Sequence, residues 1–172
     1  PAVNVIGRYI DAGKGVLIGH DTIGFTMGKE YGMGLLSDKF NLFIGNFPTN
    51  PPLTNIDSPT AWHYGSTKVK ITKKGFLTQY PWNLGPIGTV LNIPFSHTTC
   101  NAAKDNTWME YVEGRYYPKE IFGGMDVATT DEEARTKLPS NINYKYYLTT
   151  WNNTAMIQTG HSSGESTEDE RK

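Results

Sequence analysis

The run from Tyr144 to Gly160 leaves the backbone the least choice. Tyr144-Lys145-Tyr146-Tyr147-Leu148-Thr149-Thr150-Trp151 and Thr154-Ala155-Met156-Ile157-Gln158-Thr159 are rich in aromatic, β-branched and apolar residues, and only Asn152-Asn153 separates them. Asn tolerates positive φ, which the two-residue loops joining antiparallel strands require, so this spacing predicts a β-hairpin. Its second strand runs into Gly160-His161-Ser162-Ser163. Two more histidines stand in like positions: His20 follows Gly15-Val16-Leu17-Ile18-Gly19, and His97 comes a few residues after Thr89-Val90-Leu91-Asn92-Ile93. If these stretches lie parallel in one sheet, three imidazoles reach its carboxyl edge, where open α/β sheets bind ligands.

The remainder of the chain alternates helix and strand signals. Val3, Ile6, Tyr9 and Ile10 recur at helical spacing, and Gly13 stands where a left-handed cap would close the helix. A Gly13-Lys14-Gly15 turn and a buried strand from Val16 to Gly19 complete half of a βαβ unit. A Gly-rich stretch over 24–34 leads to a short helix around Leu35 to Phe40. The Pro- and Asn-rich segment 47–55 is expected to be irregular, because proline fixes φ and removes donors. Thr67 to Thr72 alternates as a half-exposed strand, the strand from Thr89 to Ile93 should end at Pro94, and Thr107 to Glu113 suits a strand or a short helix, with the strand preferred. Thr130 with Glu133 suits a capping box for a helix from Asp131 to Leu138; a polar surface loop is the other reading. Ser166 to Lys172 has an N-cap and an acidic first turn but no apolar face. An opening helix without a strand before it, and a helix start that stops short, lead to the expectation that the chain is a piece truncated at both ends.

At 172 residues the chain is expected to form a single domain, 1–172, with a sizeable core. Its 16 basic and 17 acidic residues leave a net charge of −1, and no basic run exceeds Lys73-Lys74, so the footprint of a nucleic-acid binder is absent. No apolar run approaches the ~20 residues that span a bilayer, so no membrane insertion of this segment is expected. One cysteine, Cys100, rules out an internal disulfide. Abundant Asn, Thr, Tyr and Gly with only 19% charged residues suit a secreted or surface domain.

Three readings of His20, His97 and His161 remain open. Imidazole is a common ligand of zinc and other transition metals, yet no pair has a compact ligand spacing, so the sequence calls for no metal and no cofactor. The rings could instead be acid/base or hydrogen-bonding groups around a polar ligand, helped by Asp21, Thr22, Gln79 and Ser162. Or each caps its strand end. Cys100, three residues after His97, raises a thiol–imidazole pair, but Thr98-Thr99-Cys100-Asn101 lacks the glycines of a nucleophile elbow, and an inert thiol is preferred. His63, between Trp62 and Tyr64, and exposed aromatics among Asn and Gln would suit a sugar.

The order of these motifs, a helix ending in Tyr9 to Thr22, a central Ser96-His97-Thr98-Thr99 and a hairpin closing on Ala155 to Lys172, resembles the ThuA-like (trehalose-utilisation-like) branch of the class I glutamine amidotransferase-like superfamily. Leu77 to Gly85 and Asn152 to His161 resemble an uncharacterised version of that domain in cell-surface proteins of Gram-positive bacteria. The resemblance covers residues 3 to 172. It implies an α/β, flavodoxin-like three-layer α/β/α sandwich with a mostly parallel sheet, His20 and His161 at its carboxyl edge, opening strands before Pro1, and an extracellular or cell-surface location. The Cys-His-Glu triad of amidotransferases has no counterpart, since His20-Asp21 occupies the nucleophile position, and glutamine hydrolysis is not expected. His97 lacks the proline that usually follows it in that branch, so its role carries over least directly. The expectation is a non-amidotransferase domain with a polar cleft built from His20, Asp21, Thr22, Gln79, His97, His161 and Ser162, binding a small polar ligand such as a carbohydrate. The alternatives are a glycan-acting enzyme using His/Asp acid/base chemistry, with or without a metal, and an adhesion scaffold with a vestigial cleft.

Overall fold

Val3, Ile6 and Ile10 turn one side of the first segment toward the core, and it forms helix α1 (Ala2–Asp11). Gly13, at φ 75°, closes it as the spacing requires. Tyr9 is half exposed, so the apolar stripe is narrower than its periodicity suggests. The chain then enters β1 (Val16–Ile18), where Ile18 is buried but Leu17 is 68% exposed, which makes β1 a half-covered edge strand. This computed structural model describes residues 2–23, 33–43, 64–98, 100–118, 128–137, 139–160 and 166–172. The Gly-rich stretch over 24–32, the Pro-rich 47–55 segment and His63 lie outside the described residues.

A 3₁₀ turn (Met33–Leu36) runs into α2 (Ser37–Phe40), followed by β2 (Leu42–Phe43) and the long strand β3 (Tyr64–Ile71). Then come α3 (Phe76–Gln79), β4 (Val90–His97), β5 (Asn101–Ala103), β6 (Thr107–Tyr111) and β7 (Arg115–Tyr116). The last elements are α4 (Asp131–Lys137), β8 (Ile142–Asn143), β9 (Tyr146–Trp151) and β10 (Thr154–Ile157). The hairpin forms as expected, with Trp151 opposite Thr154 and Asn152 at φ 49°. At α4 the Glu133 N–H donates to the Thr130 hydroxyl, while the Glu133 carboxylate accepts from the Thr129 N–H rather than from Thr130.

The strands form a seven-stranded sheet in the order β1-β10-β9-β6-β3-β4, with β7 also on β3, and a small sheet β2-β5-β8. Among the described strands only β1 and β10 pair in parallel; every other pair is antiparallel. The architecture is therefore mixed α/β with a mostly antiparallel sheet, in place of the mostly parallel one implied by the resemblance. Parallel neighbours need crossovers of a dozen or more residues, usually helical, whereas after α1 the described helices have four to seven residues.

Adjacent residues of the central strand β9 serve opposite faces. Tyr146 packs with Ile10, Phe40, Cys100 and Met156, whereas Tyr147 packs with Val69, Ile71, Met109 and Tyr111. Both faces are thus covered. β4 also departs from expectation, because it continues through Pro94 to His97. Between the pairs Ser66–Ser96 and Lys68–Asn92, β4 has Ile93, Pro94 and Phe95 opposite Thr67 alone. A bulge on an edge strand is where proline is tolerated, since the missing N–H costs no ladder bond.

Candidate functional site

β1 and β4 are the two ends of the sheet order, and five strand spacings would hold them about 24 Å apart in a flat sheet. Yet His20 Nε2, just past β1, lies 3.4 Å from Nδ1 of His97, the last residue of β4. The sheet is curled until its edges meet. Buried polar groups line the closure: the Ser96 hydroxyl and the Tyr111 hydroxyl both donate to the Gln158 carbonyl, and the Gln158 amide donates to the Tyr146 hydroxyl at 2.7 Å. These bonds fasten the chain beyond β10 to the residue just before His97.

The His20 and His97 rings meet edge to face, with centroids 4.4 Å apart. Asp21 stands beside them at φ 61°, a left-handed conformation that Asp adopts more readily than most residues. Its carboxylate lies 3.2 Å from His20 Nδ1. The His20 side chain is 6% exposed and that of Asp21 37%, although the Asp21 Oδ1 oxygen is itself buried. His97 Nδ1 also lies 3.0 Å from the Thr98 carbonyl oxygen. With Nδ1 protonated on both neutral rings, His97 donates to the Thr98 carbonyl, the His20 proton lies beside the Asp21 carboxylate, and the His20 Nε2 lone pair is turned toward His97.

Two neighbours complete the surroundings. A Cβ at Gly160 would fall 2.7–2.9 Å from His20 Nδ1, Cγ and Cβ, so only glycine lets the chain pass this close. The Tyr117 ring packs against His97 with centroids 5.3 Å apart. Burial raises the Tyr117 pKa; Arg115 opposes that rise, and the negative charge of Asp21 adds to it.

Of the residues expected to form the cleft, His20, Asp21 and His97 converge, and Thr22 is the next residue along, half-buried. His161 and Ser162 lie outside the described residues. Gln79 is not brought to the cluster. His97 pairs with Gly65 at one end of β3, whereas the segment carrying Gln79 is tied to the other end, where the Gly88 N–H donates to the Ile71 carbonyl. Six residues of strand, about 20 Å, separate those ends. Gln79 instead lies exposed in a patch with Phe76, Tyr80 and Trp82, in which Phe76 and Tyr80 stack.

Cys100 is fully buried, with its sulfur 2.8 Å from the Tyr146 hydroxyl, as an inert thiol should be. A groove of about 500 Å³ beside α1, lined by Gly7, Arg8, Asp11 and Leu36 among others, holds none of the clustered residues. Sequence reasoning missed Tyr117 and the role of Gly160. The Gly-His pair at 160–161 was visible, but a close approach between distant segments has no local signature. No described helix is long and apolar enough to cross a membrane. Comparison of the chain with protein-family models, curated proteins and solved structures finds no match.

Proposed function

We propose that this chain is a ligand-binding domain whose centre is the His20–Asp21–His97 cluster, and that it takes a small polar ligand, with a carbohydrate as the best-fitting class. One observation carries the reading: two imidazoles and a carboxylate from segments 77 residues apart meet at the seam of the curled sheet. Such a group offers both donors and acceptors to vicinal hydroxyls. The exposed Phe76–Tyr80 stack and Trp82, about 20 Å away by strand length, offer a second apolar surface that could hold the sugar faces of a longer chain.

The kinship to the ThuA-like branch, without glutaminase activity, and the surface or secreted location are part of this proposal. The parallel pairing of β1 with β10 supports it, because the chain leaves both strands toward one edge, where Gly19-His20 and Gly160 follow. The burial of Cys100 supports the absence of a thiol nucleophile. The flavodoxin-like sandwich itself has no support beyond that parallel pair. To test the reading, mono- and oligosaccharides are titrated while the imidazole C–H resonances are followed. Shifts at His20 and His97 that vanish in the His20→Ala chain are expected, and resonances unmoved by the whole panel sink the sugar.

A second reading, a glycan-acting enzyme, draws on the aligned order carboxylate, imidazole, imidazole. Asp21 holding His20 in one tautomer is how a carboxylate prepares a general base. Release of reducing ends from a glycan, lost in Asp21→Asn, is its expected result; no release from any glycan offered removes it.

A further inference from the structure

The spacing of the two histidine nitrogens carries more than a polar pocket requires. A hydrogen bond between two ring nitrogens is weak at 3.4 Å, since N–H donors sit closer to 3.0 Å from their acceptors. Two nitrogens bound to one tetrahedral zinc, each at about 2.0–2.1 Å, lie about 3.3–3.4 Å apart. We infer that His20 Nε2 and His97 Nδ1 are ligands of a single divalent transition-metal cation of the Zn²⁺ class.

The surroundings have the form such a site needs. A metal-bound histidine usually donates its other ring N–H to a carboxylate, which fixes the tautomer and makes the ring a better ligand; His20 Nδ1 already faces Asp21 at 3.2 Å. The three side chains offer ligand atoms all within 4.8 Å of one another, and two of them are largely buried, so little ordering is left for the metal to impose. The residues come from opposite edges of the sheet and owe their proximity to its curl, so proximity in sequence does not account for the His20–His97 contact. With two nitrogens from the described residues in place, the remaining coordination positions can take water or oxygens of a bound molecule. The inference thereby deepens the proposed function, on which this last step alone rests: a hydroxylated ligand would be held through the cation.

The chemistry is a change of tautomer. The His97 ring proton passes through solvent from Nδ1, where it faces the Thr98 carbonyl, to Nε2, and the freed Nδ1 lone pair takes the cation; His20 keeps its Nδ1–H beside Asp21. Binding to the two neutral rings therefore releases no net proton, while acid competes with the metal for them.

The test uses the full 172-residue chain stripped with a chelator, then titrated with Zn²⁺ by calorimetry in buffers of different ionisation enthalpy, and with Co²⁺ by visible absorption. One metal per chain, no net proton release and a tetrahedral Co²⁺ spectrum are expected. His20→Ala should weaken binding at least about tenfold, and Asp21→Asn, which keeps the left-handed backbone and touches no metal, by about 10–100-fold. His97→Ala alters a buried strand residue, so its loss of binding counts only if circular dichroism shows the native fold. Failure of the parent chain to bind, or binding unchanged in both His20→Ala and Asp21→Asn, overturns the site. Sugar shifts that persist in chelator would leave the ligand reading standing and remove its link to the metal, whereas metal binding without sugar shifts would do the reverse.

Discussion

Gly160 is the single position where the site tolerates least. A methyl group there would overlap the His20 ring, so Gly160→Ala should displace the imidazole and cost about 1–3 kcal/mol, read as a lower urea midpoint together with altered His20 resonances. Cys100 should behave oppositely. Sealed beneath Tyr146, it is expected to ignore aromatic disulfide reagents in the native chain and to react fully in denaturant; rapid native labelling would contradict its placement. Residue identity foretold the chemistry of His20 and Asp21 well, because Gly19-His20-Asp21 is local and its atoms are neighbours by covalent necessity. It foretold nothing of Tyr117, which reaches His97 only through the folding of β7 against β3.

Among the elements, the C-terminal hairpin was readable because its signal is contained in a dozen residues, down to the positive φ at Asn152. Asn153 adds a tie that no pattern announces: its side-chain amide donates to the Ile10 and Lys14 carbonyls, pinning the end of α1 to the turn. Asn153→Ala should therefore cost about 0.5–1.5 kcal/mol by removing these bonds, measured by thermal or urea unfolding. β4 shows the reverse case. Proline is a sound local signal for a strand end, but a bulge on an edge strand removes its penalty, and neither bulge nor edge is visible until partners are known. The tail is similar: 166–172 reads as a helix start, yet it forms turns in which Thr167 donates to the Asn92 carbonyl and Asp169 accepts the Asn92 N–H. The acidic tail covers the exposed edge of β4, which otherwise invites pairing with another chain.

At the scale of the whole molecule, pH acts through the half-exposed Asp131 carboxylate. Burial pushes Asp131 upward, but hydrogen bonds from Lys145 and Tyr116, both 2.6 Å away, and the Lys145 charge bring it below the ordinary carboxylate value. Its stabilising contribution is present above the unfolded-chain pKa of about 3.9 and is lost as pH falls through the lower folded value. Urea midpoints should drop over that acid range, and the drop should be smaller in Asp131→Asn. The sheet's sense and curl were not readable from sequence for a common reason: β1 meets β10 and His20 meets His97 only after the intervening chain has folded. That seam also gives the molecule a built-in amplifier. Relaxing the curvature by a little at each of the strand pairs would break no ladder bond, yet the small rotations add up at the rim. Parting His20 from His97 thus leaves the ladders intact but strains the Ser96–Gln158 bond beside them, so that bond and whatever bridges the two rings together govern how far the sheet opens.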